Sequence, residues 1–141
     1  ACGLNTSGEA WRVGIDRPSE TNLIPGQDLQ VILQITDKAI ATSGNYRQFY
    51  IDNGKKISHT IDPVSGYPVS HNLLSVTVIA ADAISADALA TAFMVAGMEQ
   101  SLEWMNNAGF PDVETLFICD EDGEYKVYYT DGIEDYLLEM S

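Results

Sequence analysis

Basic charge is scarce in this sequence: seven Lys and Arg stand against 21 Asp and Glu in 141 residues, for a formal net charge of −14. Sequence-independent binding to a nucleic-acid backbone rests on clustered Lys and Arg, so that function class is excluded. An anionic membrane surface repels such a chain for the same reason. Cysteine is nearly missing. Cys2 and Cys119 lie far apart and form no CxxC pair, so they build neither a zinc site nor a disulfide scaffold. Long apolar runs are also lacking. The longest uncharged stretch, residues 63–81, is broken by Pro, Gly, Ser, His and Asn and is not a transmembrane helix. The first residues carry no basic segment followed by an apolar run, so no signal peptide is expected in this chain. There is no Walker loop, GxGxxG, HExxH or Gly-x-Ser-x-Gly motif.

What is present suits one folded domain. Hydrophobic residues make up 45% of the chain, and the length is enough to bury a core without disulfide or metal staples. The charge is unevenly spread. Residues 1–60 hold six acids and six bases, whereas residues 61–141 hold fifteen acids and one base, Lys126. An anionic ligand near the second half therefore needs a neutralising group other than side-chain cations, and a metal ion is the obvious candidate.

The patterning predicts a strand over Trp11–Ile15, one or two strands over Leu29–Ile40, and punctuation at Ser43-Gly44-Asn45. Strands over Tyr46–Ile51 and Lys55–Ile61 flank Asn53-Gly54, a strong hairpin signal. Residues 62–72 read as a loop and Leu74–Ala81 as a buried strand. A small-residue helix is expected from a Ser85 N-cap to about Gly97, then a second helix over Met98–Ala108 ending at Gly109. A hairpin around Asp122-Gly123 joins strands 113–119 and 125–130, and Ile133–Met140 reads as a terminal helical turn. Hairpin-connected strands with two adjacent helices argue for an α+β fold, an antiparallel sheet with both helices packed on one face.

Two segments offer chemistry. In His59-Thr60-Ile61-Asp62-Pro63-Val64-Ser65-Gly66-Tyr67-Pro68, an imidazole and a carboxylate stand at a sheet rim beside a turn-rich loop, where free backbone N–H groups can receive an anion. Alone, a strand-end His and an Asp before Pro are more often plain turn chemistry. In Ser85-Ala86-Asp87-Ala88-Leu89-Ala90-Thr91, Asp87 and Thr91 are four apart and share one helix face. Both are hard oxygen donors of the kind Mg²⁺ accepts; alone, the pair reads equally as helix-terminus electrostatics and a hydroxyl bonded to its own turn. Asp120-Glu121-Asp122-Gly123 is rejected as a calcium loop because its glycine is misplaced and no bidentate Glu follows.

Taken together, Trp11-Arg12-Val13-Gly14-Ile15, Ala41-Thr42-Ser43-Gly44-Asn45-Tyr46, His59-x-x-Asp62-Pro63-x-Ser65-Gly66-x-Pro68, Ser75-Val76-Thr77-Val78 and Ala86-Asp87-Ala88-Leu89-Ala90-Thr91-Ala92 closely resemble the ApbE family. These are Mg²⁺-dependent FAD:protein FMN transferases, formerly labelled thiamine-biosynthesis lipoproteins. The resemblance implies that Asp87 and Thr91 are magnesium ligands and that His59, with Asp87, is catalytic. It also implies that Ser43, Gly44, His59, Asp62, Ser65 and Gly66 line the FAD site. The implied reaction is attack by a Thr or Ser hydroxyl of an acceptor protein on the FMN phosphorus of FAD, releasing AMP. The resemblance further implies a bacterial cell-envelope location. It makes the chain the C-terminal part of a longer enzyme, with the N-terminal half that completes the flavin pocket outside it. Two other activities stay open: a flavin-binding or structural remnant without catalysis, and FAD pyrophosphate hydrolysis with water as acceptor.

Overall fold

The computed structural model describes the chain except residues 20, 23, 46–48, 53, 54 and 59; for 49–52, 55–58 and 108 it describes the backbone alone. Among the described residues every strand pairing is antiparallel. A three-stranded sheet runs in the order β1 (Trp11–Asp16), β2 (Leu29–Ile35), β9 (Leu137–Met140). A four-stranded sheet runs β3 (Ala39–Gly44), β6 (Leu73–Ala80), β7 (Glu114–Glu121), β8 (Glu124–Tyr129). The hairpin β4 (Phe49–Asp52) and β5 (Lys55–Ser58) stands apart. Helices α1 (Ala83–Ala96) and α2 (Met98–Ala108) follow one another directly.

The layers follow from residue alternation along β6 and β7. Val76, Val78, Ala80, Phe117 and Cys119 point to one face, where Ala86, Ala90, Phe93 and Met94 of α1 cover them. Ile79, Leu116 and Ile118 point to the other, against Ile15, Val31, Leu33 and Ile35 of the three-stranded sheet. The four-stranded sheet is thus a middle layer, helices on one side and the second sheet on the other. That is why β6 reads as an almost unbroken apolar run rather than an alternating one. Cys119, fully buried beside Met98, behaves as a small hydrophobe: burial, with Glu121 nearby, pushes its thiol up to about 11.

The α+β class, the antiparallel pairing and the two helices on one sheet face match the expectation; the second sheet was not anticipated. Several local readings change. Of the one or two strands expected over 29–40, two form, broken at Asp37, whose φ of +50° is a left-handed turn conformation that Asp tolerates. The punctuation expected at Ser43-Gly44-Asn45 falls at its last residue: Ser43 and Gly44 still end β3, paired with Val76 and Ser75, and Asn45 is a bend. The N-cap of α1 is Asp82, whose carboxylate accepts the N–H and the hydroxyl of Ser85, both at 2.8 Å. Of the α1 alanines, Ala86 and Ala90 face the sheet while Ala88 and Ala92 face outward. The chain end is not helical throughout: a 3₁₀ turn over Asp131–Asp135 precedes strand β9, which takes the free edge of β2 through Val31–Met140 and Leu33–Leu137. The Asn53-Gly54 turn lies outside the described residues, although the two strands it joins do pair.

Candidate functional site

Helix α1 carries the first half of the site. Asp87, Thr91 and Val95 are successive i, i+4 positions, so they form a line along one helix face. Asp87 and Thr91 are exposed, whereas Val95 is partly buried. Strand β3 lies under this helix, and alternation turns Ser43 toward it. The Ser43 and Thr91 hydroxyl oxygens stand 3.3 Å apart. The two hydroxyls therefore meet where α1 lies over β3, and Asp87 precedes Thr91 by one helical turn on the same face. Among the described residues no three His, Cys, Asp or Glu side chains form a metal cage. The donor set is instead the sparse, all-oxygen kind that suits Mg²⁺, which keeps most of its shell as water and substrate phosphate.

The second half is the loop after β5. Ile61 bridges Pro68, and Thr60 and Asp62 pair with Val69 and Tyr67 through backbone bonds of 3.1 and 2.9 Å. Inside this clasp the Asp62 carboxylate accepts the N–H groups of Val64 (2.9 Å) and Ser65 (3.3 Å), while its carbonyl accepts Gly66 N–H at 2.8 Å. Ser65 Oγ accepts the N–H of Tyr67 at 3.3 Å, and Gly66 sits at φ +74°, where a side chain would be strained. The N–H groups expected to receive an anion are therefore already used. The reason is local: an Asp before Pro bonds the amides two and three residues on before any ligand can. The loop is a preformed wall and not an anion nest.

Loop and helix meet at a cavity of about 280 Å³ lined by Asp62, Ser65, Pro68, Ser70, His71 and Val95. The structure thus joins Ser43 to Thr91, leaves Asp87 one turn away on the same helix face, and sets Asp62 and Ser65 beside Val95 at the end of that face. Gly44 stands beside Ser43 as the last residue of β3. His59 lies outside the described residues. His71 was not singled out by sequence, since no spacing rule links a loop residue to a helix end 23 positions later. Its Nε2 lies 2.8 Å from the Met94 carbonyl oxygen.

The electrostatics are one-sided. Backbone amides hold the Asp62 carboxyl below its ordinary value, Val64 contributing most. Lys126, the single base after residue 60, belongs to β8 at the opposite edge of the sheet from β3 and pairs with Glu121 at 3.9 Å. No described basic side chain from the second half of the chain is placed to neutralise an anion over α1. One pH effect follows. Because the folded carboxyl is depressed, ionised Asp62 holds the loop above the ordinary Asp value of 3.8. That contribution disappears as pH falls below it toward the lowered folded value. Amide spectra should show Val64 and Ser65 losing their bonded shifts in that window; unchanged shifts down to full protonation would refute it.

Residues 1–117 match the sequence profile of the ApbE family. A relative named FAD:protein FMN transferase from Salmonella typhimurium is 36% identical over 137 residues, covering 96% of this chain and 37% of the relative. A solved structure of flavin transferase ApbE from Vibrio cholerae shares 35% identity at a TM-score of 0.73, covering 96% of this chain and 40% of that one. The apo form of the flavinyl transferase ApbE from Pseudomonas stutzeri gives 31% identity and a TM-score of 0.73, covering 94% and 38%. The chain therefore spans well under half the length of the relatives it matches. With motifs in order along the sequence and the same fold in space, this chain belongs to the ApbE family.

Proposed function

We propose that this chain is the C-terminal part of a Mg²⁺-dependent FAD:protein FMN transferase. The observation that carries the reading is the Asp87–Thr91–Val95 face of α1, joined by the Ser43 hydroxyl and ending at the cavity wall of Asp62 and Ser65. Asp87 and Thr91 would hold the metal, which when bound supplies the positive charge that a diphosphate needs in surroundings this acidic. The pre-tied loop contributes shape: a wall that does not have to be ordered when substrate arrives. In the reaction, an acceptor Thr or Ser oxygen forms a bond to the FMN phosphorus. The bond from that phosphorus to the bridging oxygen breaks, and AMP leaves with that oxygen. The hydroxyl proton is assigned to His59 on family resemblance, as is a place in the bacterial cell envelope.

The test uses the intact gene product with FAD, a Thr-containing acceptor and controlled Mg²⁺. Mass spectrometry should find an acceptor heavier by FMN, with AMP released, only when Mg²⁺ is present. AMP without a labelled acceptor would favour pyrophosphate hydrolysis with water. FAD binding with neither product would leave the non-catalytic flavin-binding reading.

A further inference from the structure

We infer that His71 is a positioning residue whose imidazole locks the 62–70 loop to the last turn of α1, and so sets the spacing between the two halves of the site. The Met94 carbonyl lies in the group that a helix end leaves without i+4 partners, and a ring N–H at 2.8 Å satisfies it. A carbonyl only accepts, so the hydrogen is on Nε2. In the neutral ring Nδ1 is then a bare acceptor, and it is buried without a partner among the described residues. The ring therefore makes one directed bond, and that bond ties loop to helix.

Gly97 makes room for it. With φ at +83° it ends α1, and a Cβ there would stand 3.1 Å from His71 Cδ2. The same ring lines the cavity together with Asp62, Ser65 and Val95. Because Val95 continues the Asp87–Thr91 line, a shift of the ring moves the loop wall relative to the candidate metal ligands. The lock stands on these contacts alone; only its use for flavin rests on the function proposed above.

The experiment compares the parent chain with His71→Ala and His71→Gln. The ¹⁵N shifts of His71 should report the Nε2–H form, and the Nδ1–H form would overturn the proposal. In His71→Ala the amides of Gly66, Tyr67 and Val69 should exchange about 3–10-fold faster, the range expected for losing one hydrogen bond. The core amide of Phe117 should stay unchanged. Gln places an amide donor where Nε2 stands and should restore most of the protection. Unchanged loop exchange in His71→Ala, or a His71→Gln variant no better than Ala, overturns the lock. Should His71→Ala fail to fold, the tautomer and the Gln variant still decide. In the intact gene product, FAD affinity should fall by a similar factor in Ala and return in Gln. If the intact parent binds no FAD, the flavin reading fails while the exchange data still judge the lock.

Discussion

Asp87→Ala in the intact gene product should abolish FMN transfer, lowering the rate by about 10³-fold or more, since a metal clamp on a phosphoryl centre is worth several kcal/mol. Asp87 is the one carboxylate on the candidate metal face of α1. Thr91, one turn further along that face, and Ser43, which meets Thr91, carry neutral hydroxyls that cannot replace its charge. Thr91→Ala should cost far less, on the order of tenfold, because water substitutes for a hydroxyl ligand. His59→Ala should slow the chemical step by about 10²–10⁴-fold if the imidazole takes the acceptor proton, with a smaller effect on FAD binding. Initial rates across a Mg²⁺ titration check the ordering. An Asp87→Ala protein that retains parental rates at saturating Mg²⁺ would remove the physical basis for the metal assignment. Because Asp87 is exposed and Asp82 caps the helix, its loss should not unfold α1.

Phe93→Ala should destabilise the fold by about 3–5 kcal/mol, the range for deleting a fully buried aromatic side chain. Phe93 has no exposed surface and packs in the cluster between α1 and the middle sheet. Its ring meets Phe110 edge-on at 6.2 Å and Trp104 of α2 at 6.5 Å, so truncation opens a cavity where three elements converge. With a urea slope of about 1–3 kcal/mol per molar, the midpoint should drop by more than about 1 M. Val64→Ala is the control. Val64 is 94% exposed on the loop and should change stability by no more than about 0.5 kcal/mol. Equal midpoints for the two variants would show that the helix layer contributes little to holding the domain together.

The elements most legible in the sequence are those whose signals are local. Gly97 and Gly109 bracket α2, and Asp122-Gly123 turns β7 into β8, because left-handed φ at these positions is a property of the residues themselves. The misread N-cap of α1 is a competition between two good caps three residues apart. Asp82 wins because it sits in extended conformation directly after β6 and can bond Ser85, which then occupies the first turn. The end of the chain failed for a different reason. Nothing within Leu137–Met140 distinguishes a strand from a helical turn; the open edge of β2, more than a hundred residues earlier, decides it.

The site divides along the same line. By itself the sequence determined the family, the one-sided charge and the pairing of Asp87 with Thr91, because motif order, composition and the 3.6-residue helical period are written in the chain. Only the tertiary structure decided that Ser43 joins Thr91, that Val95 carries their face into a cavity, and that His71 ties the loop to α1. Each of these links residues more than twenty positions apart, or depends on a register that the packed sheets impose. It also decided what the loop cannot do. Asp62 spends its carboxylate on the amides of Val64 and Ser65, and local hydrogen bonds of that kind form before any ligand competes for them.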